Sequence, residues 1–206
     1  MTRGRFITVE GIEGVGKSTN LAFIRDWLTR RGRSVVETRE PGGTPFAEEI
    51  RELLLKPREE GVDPQTELLV IFAARAQHLR GVVEPALAQG QWVLCDRFTD
   101  STYAYQGAGR GFDRTQIEQL ERLVQGDLRP DLTLILDIDP ALGLQRAGKR
   151  SQPDRFEGET LAFFERVRQA YRDLARSSPQ RYQLVDASQD LAGVQTQLAS
   201  ILSALV

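Results

Sequence analysis

A three-layer α/β/α fold built on a parallel sheet is what this sequence predicts, and three observations carry the prediction. Short, near-continuous apolar runs recur along the chain, helically patterned segments fall between them, and no repeat, linker or low-complexity tract divides the 206 residues. Strands that are apolar without alternation are buried on both faces, as in a parallel sheet whose crossovers are helices. The expectation is one domain over 1–206 with five parallel strands.

Taken in order, residues 5–10 (Arg-Phe-Ile-Thr-Val-Glu) read as the first strand, and a helix opens at Lys17 and runs to about residue 31, where Gly32 stops it. Residues 34–38 read as the second strand, followed by the turn cluster Glu40-Pro41-Gly42-Gly43-Thr44 and a helix through 48–56. Pro64 opens a long helical stretch to about residue 89, in which Pro85 predicts a kink or break. Residues 92–95, 132–138 and 182–186 are the third, fourth and fifth strands, with helices expected at 114–125, 140–147, 159–177 and 190–205.

The bulk numbers are those of an ordinary globular chain: 40% hydrophobic, 27% charged, net charge −2. Such a balance creates no global field for nucleic acid or membrane. Of the 27 cations only Lys17, Lys56 and Lys149 are lysine. The single cysteine, Cys95, excludes an internal disulfide, fits a reducing compartment and lies in an apolar run as a core thiol. No signal peptide or membrane-spanning segment is evident, which makes the cytoplasm the expected location.

The motif G-x-x-x-x-G-K-[ST] is met by Gly11-Ile12-Glu13-Gly14-Val15-Gly16-Lys17-Ser18, directly after a strand and at the head of a helix. Its glycines let backbone N–H groups turn inward on phosphates, aided by the helix dipole, and Thr19 continues the loop into the helix. Lys17 would reach the β- and γ-phosphates of a nucleoside triphosphate and Ser18 would ligate Mg²⁺. A Ras-like GTPase is disfavoured, because its Asn-Lys-x-Asp motif needs an asparagine and the chain's only one, Asn20, precedes Leu21. Partitioning ATPases carry an extra lysine where this chain has Gly11 and Ile12, so a kinase leads.

Four other segments read as parts of the same site. Glu13 inside the loop suggests a hydrogen bond to a substrate hydroxyl, or is an exposed loop acid. The run 38–44 follows the second strand, where open α/β sheets bind ligands. Phe72 and Arg75, three residues apart, share a helix face and could stack on and bond a base, or be core and solvated cation. Asp96 is placed like the acid that supports Mg²⁺ opposite the loop, and Arg97 could clamp a phosphate.

Together Glu-Gly-Ile-Glu-Gly-Val-Gly-Lys-Ser-Thr (10–19), Thr-Arg-Glu-Pro-Gly-Gly-Thr (38–44), Phe-Ala-Ala-Arg (72–75), Asp-Arg-Phe-x-Asp-Ser-Thr-x-Ala-Tyr-Gln-Gly (96–107) and Asp-Arg-Phe-Glu (154–157) closely resemble the bacterial thymidylate kinases, in order and over nearly the whole chain. The resemblance implies transfer of the γ-phosphate of ATP to dTMP with Mg²⁺, by a homodimer. It makes Phe72 the thymine stack and Arg75 a base contact, with Thr102 and Gln106 near the base. Tyr105 would crowd the sugar 2′ position and Glu13 would face the 3′-hydroxyl. Arg97 would hold the acceptor phosphate, Arg39 more weakly, with Pro41 and Ser101 among the same contacts.

The cation-dense run 144–155 falls where related kinases carry a mobile lid, here about 143–157. Some thymidylate kinases place an arginine in the phosphate loop where this chain has Gly14, and the family's alternative supplies it from the lid. Arg150 is the best match, supported by Arg146 and Arg155. No general base is needed, and His78 is expected on a helix surface. A different nucleoside monophosphate kinase and a regulatory ATPase are the competing readings.

Overall fold

The computed structural model describes residues 3–148, 155–156 and 158–206. Its strands are β1 (Phe6–Glu10), β2 (Val35–Arg39), β3 (Trp92–Asp96), β4 (Leu132–Asp137) and β5 (Tyr182–Asp186). They form one parallel sheet in the order β2-β3-β1-β4-β5. Every residue of β1 is buried, and so are all but the last of β3 and β4, as their unbroken apolar runs require. Even the polar pair Thr8 and Thr133 is satisfied internally, hydroxyl to hydroxyl at 2.9 Å.

The helices cover both faces: α1 (Lys17–Thr29), α2 (Pro45–Leu55), α3 (Pro64–His78), α4 (Glu84–Ala88), α5 (Thr99–Thr102), α6 (Arg114–Gln125), α7 (Pro140–Ala147), α8 (Leu161–Ser177) and α9 (Leu191–Ser203). Their starts are written locally. Thr44, Asp63 and Asp139 cap α2, α3 and α7 through side-chain oxygens, each followed by proline at the first helical position. The main core packs α1, α8 and α9 against the sheet around Ile7, Ile24, Leu134, Phe164 and Leu198.

Two departures from the expected elements have physical causes. The helix carrying Pro85 does not break but widens into a π turn over Leu79–Val83 and resumes as α4. The longer-range bonding of that turn comes where Pro85 has no N–H to offer. Residues 99–109, expected only as a strand-end motif, are helical: α5 runs into a second π segment, Tyr103–Gly109. β-branched, aromatic and glycine residues make this stretch a poor helix former, and packing against α8 imposes the helix instead. Gly109 is required there, since a Cβ would lie 2.5 Å from the Phe163 ring.

Candidate active site

Parallel pairing brings the carboxyl ends of β1, β2 and β3 to one rim. Val9 sits opposite Asp96 and Arg39 opposite Asp96 on the other side. The Glu40 N–H donates to the Asp96 carbonyl, and the Arg97 N–H to that of Val9. A cleft of about 320 Å³ opens above this rim. It is lined at one end by Glu13, Gly14, Val15, Gly16, Lys17 and Ser18, and at the other by Arg75, Thr102 and Gln106.

The phosphate loop is bent by its glycines. Gly11, Gly14 and Gly16 have φ of 136°, 74° and 84°. Gly16 caps α1 in the left-handed conformation and aims the helix amino terminus at the cleft. Lys17 Nζ donates to the Gly11 and Ile12 carbonyls, both at 3.2 Å. Burial, then the charge of Arg97, pulls its pKa down to about 8 against the opposing pull of Asp96, Glu13 and Glu10. Gly11 and Ile12 serve by these carbonyls without lining the cleft, and Thr19 is exposed on α1. Gly14 admits no side chain: a Cβ would lie 1.9 Å from the Gly143 carbonyl of α7.

Arg97 is the one non-glycine residue with positive φ among those described, at 65°. Its guanidinium donates to Glu13 Oε1 at 2.9 Å and Ser101 Oγ at 3.3 Å and stacks on Tyr105 at 4.8 Å. The Tyr105 hydroxyl donates to Glu13 as well, at 2.9 Å to either oxygen. Strain at such a position is stored where neighbours over-determine the backbone. Glu10 does this from below, accepting from the Phe98 N–H at 2.7 Å, Ser101 Oγ at 2.6 Å and the Tyr171 hydroxyl at 2.9 Å.

Burial, then the charge of Asp100, raises the Glu10 pKa from 4.5 to about 7, against hydrogen bonds from Ser101 and Tyr171 and the charge of Arg97. A carboxyl raised in this way binds more protons folded than unfolded. Stability is therefore lost as pH climbs from 4.5 to about 7. Glu10→Gln, which keeps the shape, should be the more stable protein at pH 8 by up to roughly 3 kcal/mol. That advantage should fade by about pH 5, where most of the carboxyl is protonated in the folded state. Thermal melts at the two pH values check this, and a pH-independent difference would refute it.

The acceptor end rests on Glu40, which sequence reasoning had not singled out. It is buried, accepting from Arg75 Nε at 2.6 Å and from His78 Nδ1 at 2.9 Å, with Thr38 on the other imidazole nitrogen at 2.7 Å. His78 is thus not on a helix surface as expected but fully enclosed, because the ring bridges Thr38 and Glu40 of one segment. Arg75 also donates to Thr102 Oγ1 at 3.0 Å, while its Nη1 is buried with no partner among the described residues. Asp96 Oδ1 is orphaned likewise.

Several expected residues sit elsewhere. Phe72 packs with Leu68 and Ile117 beneath Arg75, whose guanidinium lies 4.7 Å over its ring, and does not line the cleft. Arg39 turns out to Glu48, with bonds of 3.1 and 2.7 Å, whereas Pro41 does line the cleft. Arg146 donates to the Ala187 and Ser188 carbonyls beyond β5. Arg155 ties to the Leu54 carbonyl at 2.9 Å and to Glu67 at 2.6 Å. Arg150, with the rest of 149–154 and residue 157 of the expected lid, lies outside the described residues. Arg51 was missed: it lines the cleft from α2, and burial and the charge of Arg39 lower its pKa. A cation in that position gains from any anion seated beside it. Arg51 donates to the Pro41 carbonyl at 3.1 Å, a contact across 10 residues of sequence that composition does not mark.

A sequence profile described as thymidylate kinase matches residues 9–198. The thymidylate kinase of Teredinibacter turnerae is 63% identical over 98% of this chain and 99% of that protein. That of Pseudomonas syringae pv. tomato is 58% identical, covering 98% and 97%. The crystal structure of thymidylate kinase from Ehrlichia chaffeensis superposes with a TM-score of 0.78 at 36% identity, over 97% of this chain and 99% of that one. With its strand order, its phosphate loop and the cleft that joins them, the chain belongs to the thymidylate kinase family.

Proposed function

We propose that the cleft seats the phosphates of ATP at its loop end and dTMP at its Arg75 end, and that the family's phosphoryl transfer runs between them. The chain is an ATP:dTMP phosphotransferase by family, so the proposal concerns which residues do the work. A phosphate oxygen of dTMP attacks the γ-phosphorus. One P–O bond forms, the bond to the β–γ bridging oxygen breaks, and dTDP and ADP leave. The acceptor's second pKa is about 6, so it is already ionised and no general base is required.

Holding two anions together is then the task of the chain's cations. Lys17 and the loop N–H groups hold the donor, and Arg97 with Arg51 holds the acceptor phosphate. Glu13, fixed by Arg97 and Tyr105, is the acid at the deoxyribose, with the Tyr105 ring beside it. Ser18 and the orphaned Asp96 carboxylate are the residues that would hold Mg²⁺, which when bound neutralises phosphate charge. Because Gly14 has no room for a side chain, the charge that other members place in the loop must come from another segment, for which Arg150 is the candidate.

A homodimer in the cytoplasm completes the proposal: the family resemblance supports the first, and the single reduced cysteine the second. No described helix is long and apolar enough to cross a membrane.

The observation that carries the assignment of the base is the unpaired Arg75 Nη1, a buried donor that calls for an acceptor such as a pyrimidine carbonyl. Arg75→Ala should lower kcat/KM for dTMP by about 10²-fold in a coupled assay with ATP and Mg²⁺. A panel of monophosphates should peak at dTMP in the unsubstituted enzyme. A loss below about threefold would remove Arg75 from base recognition.

A further inference from the structure

The geometry points to Glu67 as a specificity-determining positioning residue, one that holds the Gln106 amide by its NH₂ group and so turns its carbonyl toward the acceptor base. This rests on the reading of the cleft's Arg75 end as the seat of the base.

Glu67 lies near the start of α3 with its side chain 1% exposed, and the chemistry above makes no use of it. Its Oε1 accepts from Gln106 Nε2 at 2.8 Å and from Arg110 Nε at 3.4 Å. Its Oε2 accepts from Arg110 Nη2 at 3.4 Å and pairs with Arg155 Nη2 at 2.6 Å. A carboxylate between two guanidiniums has acceptors only. Gln106 can therefore meet it only through its NH₂ group. The amide of a solvated glutamine can face either way, but here the chemistry of the partner decides its orientation.

Gln106 is 2% exposed and lines the cleft beside Thr102 and Arg75. With Nε2 held on the Glu67 side, the amide turns its carbonyl oxygen Oε1 away from the carboxylate. Arg75, with its unpaired Nη1 donor, and Gln106, with its Oε1 acceptor, both line the cleft. Thymine has the matching edge, a carbonyl acceptor at C4 and an N3–H donor. Cytosine has the reverse, an amino donor at C4 and an unprotonated N3. A site built to bond one pattern rejects the other, because its own buried groups go unpaired.

The test uses Glu67→Gln, which keeps the size but can present either a donor or an acceptor to Gln106 and so frees that amide to turn. The readout is the ratio of kcat/KM for dTMP to that for dCMP. In E67Q the ratio should narrow about tenfold or more, while E67D, still acceptor-only, keeps it within about threefold. Should E67Q leave its arginines uncompensated and fail to fold, E67Q/R110Q removes one cation with the carboxylate and is read the same way. A purely structural Glu67 would lower both activities in parallel and leave the ratio unchanged, which overturns the inference. An unsubstituted enzyme that does not prefer dTMP overturns the reading of the base site and this inference with it. A preference kept in E67Q overturns the inference alone.

Discussion

Arg97→Ala is expected to lower kcat/KM for dTMP by about 10³-fold, with both kcat and KM affected. The residue is expensive to place. Its φ of 65° costs about 1 kcal/mol or more, and its neighbours sustain it. The N–H is tied to Val9, the carbonyl accepts from Cys95 Sγ at 3.1 Å, and Glu10 holds the next residue's N–H. Glu13 and Ser101 take part of the guanidinium, and the remaining donors face a cleft that also holds Lys17 and Arg51. Three cations here share the cleft lining with the acids Glu13 and Asp96, and an incoming phosphate supplies the negative charge that favours their convergence. Arg97→Lys should recover only part of the loss, since an ammonium is a point charge without the planar fork. Steady-state kinetics with varied dTMP measure both variants. A loss under tenfold in Arg97→Ala would hand the acceptor phosphate to Arg51.

Much of this site was legible because its parts are local. The phosphate loop is contiguous, the strands are unbroken apolar runs, and Thr44-Pro45, Asp63-Pro64 and Asp139-Pro140 announce their helices. What the sequence hid depends on contacts between distant segments. Glu40 and His78 are 38 residues apart, and no spacing rule says that one will enclose the other. Arg39 and Arg51 look alike as surface arginines on neighbouring segments, yet Glu48 claims the first and the cleft receives the second. The helix over 99–109 was invisible because its residues resist helix formation and α8 supplies the packing that overrides them. The resemblance made Phe72 the thymine stack, whereas the structure packs it beneath Arg75 and off the cleft lining. Gly14 shows the limit from the other direction. Its identity was read as a missing charge, but only the carbonyl of Gly143 explains why no arginine could stand there.

Lys17→Met should reduce kcat by about 10³-fold, while dTMP still binds. Nζ rests on two loop carbonyls, which hold an ammonium within the loop that is proposed to seat the donor phosphates. Its pKa of about 8 gives this placement a pH signature. In the free enzyme the ammonium loses its proton as pH rises through 8, whereas phosphates bound beside it stabilise the charged form. ATP binding is therefore coupled to proton retention, so its affinity weakens above pH 8 and is level below it. The fall approaches tenfold per pH unit well above 8. Lys17→Met has no proton to lose, so its ATP affinity should be weak and level over pH 7–9. Titrations of ATP against both proteins across that range test this directly. A parallel fall in both would place the titrating group on another residue, while a level response in both would mean that burial does not lower the Lys17 pKa as the geometry requires. The depressed pKa follows from the feature that makes the residue useful, a cation held out of water until an anion meets it.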